Sequence, residues 1–492
     1  MAGLNFNFDN SYSRLPANFY AKIKPTAVSS PNIIFFNKSL ASSLGLDFET
    51  VSQAQLAKIF SGNEAAAGAE NLAMAYAGHQ FGHFVPQLGD GRAILLGEII
   101  DPTGKRHDLQ LKGAGRTPYS RNGDGRAALG PVIRELIVSE AMHALGVPTT
   151  RALAAVSTGE MVLRESAQPG AILARVGASH IRIGTFQYFA ARGDQTAIRA
   201  LADYATHRHY PEFVEVEPPY LGLLERVIDA QAQLVATWMQ IGFIHGVMNT
   251  DNMTISGETI DFGPCAFMDQ FESAKVYSSI DRNGRYAFSN QPDIALWNLT
   301  RLAESLLPLL GLDQATATSE AEKLLQSFSS RYEAYWLSGL RQKLGLTIEE
   351  PGDLKLAQDF FVYLEQVGGD FTNSFRELSS LLSETRETSK PHILASSAGG
   401  AKWLEHWSLR IDREPRSKDD CQKSMLRANP AYIPRNHLIE RAIRAAVDQN
   451  DFSKMSELMS VLSEPYRLRE GLEPFQLPPN PNEIVHKTFC GT

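Results

Sequence analysis

The stretch His245 to Gly263, HGVMNTDNMTISGETIDFG, concentrates groups able to hold a divalent cation beside a phosphate. Asn252 and Asp261 offer an amide and a carboxylate oxygen. These are the hard donors that Mg²⁺ accepts, and Mg²⁺ ordinarily takes few protein ligands and completes its shell with waters and substrate phosphates. Both residues are read as metal ligands, brought together by a short strand pair. Two glycine-containing turns lie upstream. In Gln87-Leu88-Gly89-Asp90-Gly91-Arg92, Gly89 and Gly91 let the backbone approach a phosphate closely and Arg92 adds a charge-assisted contact. In SRNGDGRAALG, Asp124 and Gly125 form a second turn whose N–H groups can hold an anion. Arg175 and Arg182 flank a short glycine-containing segment, where planar guanidinium groups in an apolar setting suit bidentate phosphate recognition. Each feature alone also fits an ordinary turn or a solvated surface arginine; the functional reading rests on their combination.

Positioning these groups requires a strand-rich region followed by a helical one. Ala93 to Ile100 and Asp108 to Lys112 are short apolar runs separated by DPTGK, which predicts a hairpin. Leu129, Val132, Ile133, Leu136 and Ile137 carry the i, i+3, i+4, i+7, i+8 spacing of an amphipathic helix over Leu129 to Leu145. Arg151 to Val156 and Ala171 to Val176 read as two further strands. A strongly periodic helix runs from Leu224 to Ile241 and ends at Gly242, directly before His245. The fold class expected is α+β, with a cleft between a sheet-bearing half and a helical half.

The His245 loop resembles the catalytic and metal-binding loops of protein kinases, in which H-x-D-x-x-x-x-N precedes D-F-G. His245, Asn252 and Asp261-Phe262-Gly263 fall in the matching places, whereas Val247 stands where a kinase carries its catalytic Asp. The comparison also asks for a strand lysine and a helix glutamate forming an ion pair behind the phosphates, and Lys112 with Glu135 meets it.

AYAGHQFGHFVPQLGDGRA, LQLKGAGRTPYSRNGDGRAALGPVIRE, HGVMNTDNM and NPAYIPRNH closely resemble the selenoprotein O family over nearly the full chain. The resemblance implies a kinase-like bilobal fold that binds ATP in a reversed orientation. It implies Mg²⁺- or Mn²⁺-dependent transfer of AMP to Ser, Thr or Tyr of protein substrates. Carried onto this chain, it places Lys112, Glu135, Arg175 and Arg182 on the phosphates, with Gly89, Gly91, Arg92, Asp124, Gly125 and Asp261 completing the nucleotide site. It assigns Asp251, beside Asn252, as the general base. Reversal also rationalises Val247, because the α-phosphate rather than the γ-phosphate faces the acceptor. Cys490 resembles the near-terminal selenocysteine or cysteine of the family, and Cys265 is a conceivable redox partner, although two free thiols are the favoured expectation.

The boundaries expected are an extension over 1–65, a kinase-like half over 66–190, a helical half over 191–390 and a C-terminal extension over 391–492. Pro16, Pro25 and Pro31 suggest that the first of these wraps the body, and the segment from Asn429 onward has no role that its pattern reveals. With 492 residues, 43% hydrophobic composition and a net charge of −8, the chain has an ordinary globular balance and no footprint for nucleic acid or anionic membrane. No apolar run approaches the roughly 20 residues of a membrane span. Three cysteines without a metal-ligand spacing and a start without a secretory pattern suit a reducing cytoplasm, and a monomer is expected. Two other functions remain open at this point: a conventional kinase, which Val247 opposes, and an ATP-binding scaffold without activity, which the retained Lys112, Glu135, Asn252 and Asp261 oppose.

Overall fold

The computed structural model describes residues 4–216, 219–311, 313–383 and 391–489. Its first half is an antiparallel sheet. The strands are β1 (Tyr20–Lys22), β2 (Asn32–Phe36), β3 (Leu72–Met74), β4 (Gly78–Gln80), β5 (His83–Val85), β6 (Ala93–Ile100), β7 (Arg106–Lys112), β8 (Ala127–Ala128), β9 (Arg151–Leu163) and β10 (Ala167–Gly177). The main sheet runs β1-β3-β6-β7-β10-β9-β2, with β8 on β10, while β4 and β5 form a separate hairpin. Both outer strands of the sheet, β1 and β2, come from the proline-containing start of the chain, which is therefore built into the sheet as well as packed around it.

Strand alternation sorts the side chains onto two faces. Leu109 and Leu111 of β7, with Ile172, Ala174 and Val176 of β10, meet α1 (Lys38–Ser43) and α2 (Gln53–Ser61) in one core. On the other face Leu173 joins the larger core that contains the buried side of α3 (Leu129–Ala144). The period of two puts Gln110, Lys112 and Arg175 on this second face too, and the register sets Arg175 opposite Gln110 and Leu173 opposite Lys112. Charged groups therefore emerge inside an apolar interface, beneath the helix that carries Glu135.

The remainder is helical: α4 (Ile183–Ala190), α5 (Gln195–His209), α6 (Pro219–Gln240), α7 (Gln291–Leu306), α8 (Gln314–Leu344), α9 (Asp353–Val367), α10 (Phe371–Ser380), α11 (Ala398–Ile411), α12 (Lys418–Ala428), α13 (Asn436–Gln449) and α14 (Ser453–Leu462). After α6, Gly242 turns the chain at φ 70°, where a Cβ would press into the Phe371 ring. A short pair, β11 (Phe243–Ile244) with β12 (Ala266–Phe267), then closes the base of the His245 loop. Among the described residues no helix is long and apolar enough to cross a membrane.

The loop itself has little regular structure, so its backbone needs partners from elsewhere. They come from buried side chains of the surrounding helices. Gln291 accepts from His245 N (3.0 Å), Asn298 donates to Met248 O (2.9 Å) and Gln231 donates to Thr254 O (2.7 Å). Trp238 Nε1 donates to Thr259 Oγ1 (2.9 Å). Within the loop the Thr254 hydroxyl donates to Glu258 O (2.7 Å) and accepts from Glu258 N, so a side-chain-closed turn links Asn252 to Asp261. The strand pair foreseen for that role lies just outside the segment.

Candidate active site

Asp261 is the hub of a buried ion cluster. Its Oδ1 accepts from Lys112 Nζ (3.1 Å) and Arg175 Nη1 (2.6 Å), and its Oδ2 accepts from Arg182 Nη1. Lys112 also pairs with Glu135 Oε2 at 2.5 Å, and Arg175 with Glu135 Oε1 at 3.1 Å and Gln110 Oε1 at 2.6 Å. Within this cluster three cations thus face two carboxylates. Burial alone would raise the Asp261 carboxyl, but Arg182, Lys112 and Arg175 outweigh it and hold the group well below the usual carboxylate range. Asp261 sits at φ 60°, uncommon for a residue with a Cβ; Gly263 N donates back to its carbonyl (2.8 Å), and His245 Nε2 bonds the carbonyl of Ile260 (2.9 Å). Arg175 and Arg182, expected to face phosphate directly, are committed to carboxylates in this arrangement and are almost fully buried.

Asp251 occupies a different environment. Its Oδ2 accepts from Gln80 Nε2 (3.2 Å), while the buried Oδ1 has no hydrogen-bond partner. Burial raises its carboxyl to about 6 in spite of the nearby Arg182 charge. The β4–β5 hairpin is what closes over it. His79 N donates to Thr250 Oγ1 (2.7 Å), Thr250 Oγ1 donates to Gln187 Oε1 (2.6 Å), and Phe81 N and the Tyr286 hydroxyl both donate to Asn249 Oδ1 (3.1 and 2.7 Å). Gly78 makes the approach possible, since a Cβ there would lie 2.5 Å from Asp251 Oδ1.

A cavity of about 940 Å³ lies between these two carboxylates and the glycine turns. Gly89, Gly91, Arg92, Lys112, Asp124, Gly125, Arg175, Arg182, Asp251, Asn252 and Asp261 all line it, as does Val247. Gly89 lies at φ 79° against the Tyr119 ring, and Gly125 at φ 69° against the Gly115 carbonyl, so neither position has room for a side chain. The Asp124 carboxylate is already engaged: it pairs with Arg164 at 2.8 Å and accepts from Arg126 N at 2.9 Å, which ties the turn to the β9–β10 connection. Asp90, between the two glycines, is buried, accepts from Met74 N and Gln110 Nε2, and is raised by burial to about 6.

Several lining residues escaped the sequence reading. Tyr76 lies under the Arg182 guanidinium, 4.8 Å from its centre, and Gln80, Tyr119 and Arg164 complete the walls. Tyr76, Gln80 and Tyr119 fall within the quoted sequence blocks, whereas Arg164 lies outside them and carries no signal in the sequence. Glu135 was recovered because its helical period and the strand lysine could be read together.

The donor set suits a hard divalent cation. Asn252 Nδ2 donates to Val247 O (3.0 Å), which assigns the amide orientation and turns its Oδ1 away from that bond. Together with the Asp261 carboxylate it gives two oxygen-bearing groups lining one cavity. Among the described residues no group of three or more His, Cys, Asp or Glu forms a metal cluster. Cys265 is buried beside this loop; Cys490 lies outside the described residues, so its proposed partnership with Cys265 does too.

Residues 2–463 match the family model described as protein adenylyltransferase SelO. The chain is 56% identical over 494 residues to a protein nucleotidyltransferase YdiU of Rhizobium johnstonii, covering all of this chain and 98% of the relative. Proteins of the same name from Rhizobium meliloti and Rhodopseudomonas palustris are each 56% identical, over 99% of this chain and 99% and 100% of their own lengths. The chain belongs to the protein adenylyltransferase SelO family and is a nucleotidyltransferase.

Proposed function

We propose that this protein transfers AMP from ATP to Ser, Thr or Tyr hydroxyls of protein acceptors and releases pyrophosphate, on a kinase-like bilobal scaffold. The observation that carries the reading is the pairing, in one cavity, of a net-positive ion cluster with a buried carboxylate whose Oδ1 has no partner. Lys112, Arg175 and Arg182, acting through their positive field from the ion cluster that lines the cavity, suit β- and γ-phosphates held inward. Gly89, Gly91, Arg92, Asp124 and Gly125 bound the rest of the nucleotide. Asp251 accepts the proton of the acceptor hydroxyl as its oxygen attacks the α-phosphorus, and the bond from that phosphorus to the bridging oxygen of pyrophosphate breaks. The arginines and Lys112 stabilise the departing charge. Asn252 and Asp261 would hold Mg²⁺ or Mn²⁺, which supplies further neutralisation of the phosphate oxygens when bound.

Val247, apolar and lining the cavity, has no proton-accepting group where a γ-phosphoryl transferase needs one. The test uses ATP labelled at the α- or the γ-phosphorus, Mg²⁺ and a generic protein acceptor such as casein. Incorporation of α-label alone, with an adenylyl group on hydroxyl side chains in tryptic peptides, is expected. Incorporation of γ-label alone would establish a conventional kinase, and ATP binding without transfer of either label, with Mg²⁺ or Mn²⁺, would make the protein a scaffold.

A further inference from the structure

The block NPAYIPRNH has no part in the cavity, yet it is among the most buried polar segments of the molecule. Arg435 is 1% exposed. Its guanidinium pairs with Asp269 (2.5 Å) and Asp370 (2.9 Å) and donates to Gln476 O (2.8 Å), while Asn436 Nδ2 donates to Phe267 O (2.8 Å) of β12. This fastens the start of α13 to the strand and residues immediately downstream of Asp261-Phe262-Gly263. One turn further along, Glu440 of α13 pairs with Arg134 of α3, the residue preceding Glu135. Gly130 of α3 admits the same helix closely, since a Cβ there would lie 3.1 Å from Ile443. Beyond α14, the Tyr466 hydroxyl donates to Leu145 O at the C-terminal end of α3 (2.9 Å).

We propose that α13 is a brace between the two halves of the cleft: anchored by Arg435 and Asn436 beside the Asp261 segment and by Glu440 on Arg134, it fixes the rotation of α3 that presents Glu135 to Lys112. Arg134 and Glu440 are positioning residues. The physical argument is the burial of Arg134. It is 5% exposed, and its Nη1 has no partner, so loss of Glu440 leaves a buried guanidinium in the interface without its counter-charge. α3 relieves that cost by rotating Arg134 outward, and the adjacent Glu135 turns with it, away from Lys112. Part of this inference rests on the proposed nucleotide site, so the experiment has one arm that does not.

Glu440→Ala, with Glu440→Gln as the variant that preserves shape, is compared with wild type by hydrogen exchange of the α3 amides without nucleotide. Exchange across residues 132–140 is expected to rise at least tenfold while the melting transition stays cooperative; unchanged α3 protection overturns the brace. ATP affinity is then measured in a double-mutant cycle with Glu135→Gln. Glu440→Ala should weaken ATP about tenfold in the wild-type background and less than twofold in Glu135→Gln. Equal losses in both backgrounds would mean that Glu440 does not act through Glu135, and overturn the proposal. A chain that binds no ATP in any form, with α3 loosened as expected, refutes the nucleotide reading and leaves the brace standing.

Discussion

Asp261 and Asp251 line one cavity, yet the regions around them are built on opposite electrostatic terms. The Asp261 region is over-supplied with cations drawn from β7, β10 and the segment before α4, and its carboxyl is held ionised. The Asp251 carboxylate is met by a neutral amide of the β4–β5 hairpin, beside Thr250 bonded to the hairpin and α4, while Arg182 donates to its backbone carbonyl, and burial raises its carboxyl. The first arrangement fixes geometry and charge; the second leaves a buried carboxylate oxygen without a hydrogen-bond partner. The contrast shows how two like side chains in one cavity acquire opposite proton affinities from their neighbours alone.

The comparison is tested most severely at the ion cluster. Asp261→Asn keeps the shape but leaves Lys112 and Arg175 with Glu135 alone and Arg182 without its carboxylate pair, and AMP transfer should fall by roughly 10³-fold, as for loss of a central charge-stabilising group. Transfer at the wild-type rate, followed with α-labelled ATP, would show that the cluster is a structural ion network. Asp251→Asn should lower transfer by roughly 10²-fold or more while ATP affinity, read by titration calorimetry, changes less than about twofold. A variant that loses ATP binding as well would erase the division of labour between the two carboxylates.

Gly78→Ala sharpens the second half of the contrast. Its added methyl enters the space of Asp251 Oδ1 and displaces the carboxylate without touching the ion cluster. A fall in transfer of about tenfold with ATP affinity retained is expected from so small a misplacement of a reacting group; an unaltered rate would mean that the hairpin does not set the position of Asp251.

The smallest effect concerns stability, at a third carboxylate. Burial raises Glu258 to about 7, with Ala178 N and Ser256 Oγ as its hydrogen-bond donors. A carboxyl raised above its unfolded value of 4.5 favours the folded state below pH 4.5, and that contribution is lost as pH climbs through 7. Glu258→Gln removes the titration. Its stability relative to wild type should therefore increase between pH 4 and pH 8, by about 1–3 kcal/mol, in urea melts. A difference that is flat across this range would show that Glu258 is solvated and ionised like a surface group.

Local pattern sufficed for much of the scaffold. The hairpin of β6 and β7, the helix bearing Glu135, the helix ending at Gly242 and the spacing from His245 to Gly263 were all legible, because periodicity and turn residues act over a few positions. Boundaries were less legible: β9 and β10 run well past the apolar cores that announced them, since their outer ends are half-exposed and their pairing is with each other. The prolines of the initial extension suggest a wrapper, but short strands at the edge of a sheet carry too few residues to declare a period of two. Residues such as Gln80 and Tyr76 gave no signal of their own, because a neutral polar or aromatic side chain acquires a role only from what faces it.

The sequence by itself determined which groups exist, which elements carry them and, through its long characteristic blocks, the family to which the chain belongs. Tertiary structure alone decided how those groups are partnered. Arg175 and Asp261 lie far apart in the chain, and nothing in either neighbourhood states that they meet at 2.6 Å. The same holds for Arg435 with Asp269 and for Arg134 with Glu440. Hydrophobic period records which face of an element is buried but not what it is buried against, and the charge state of Asp251 or Asp261 depends on that missing partner. Ion pairing and desolvation are properties of the assembled interior, so they could be settled only once distant segments had packed together.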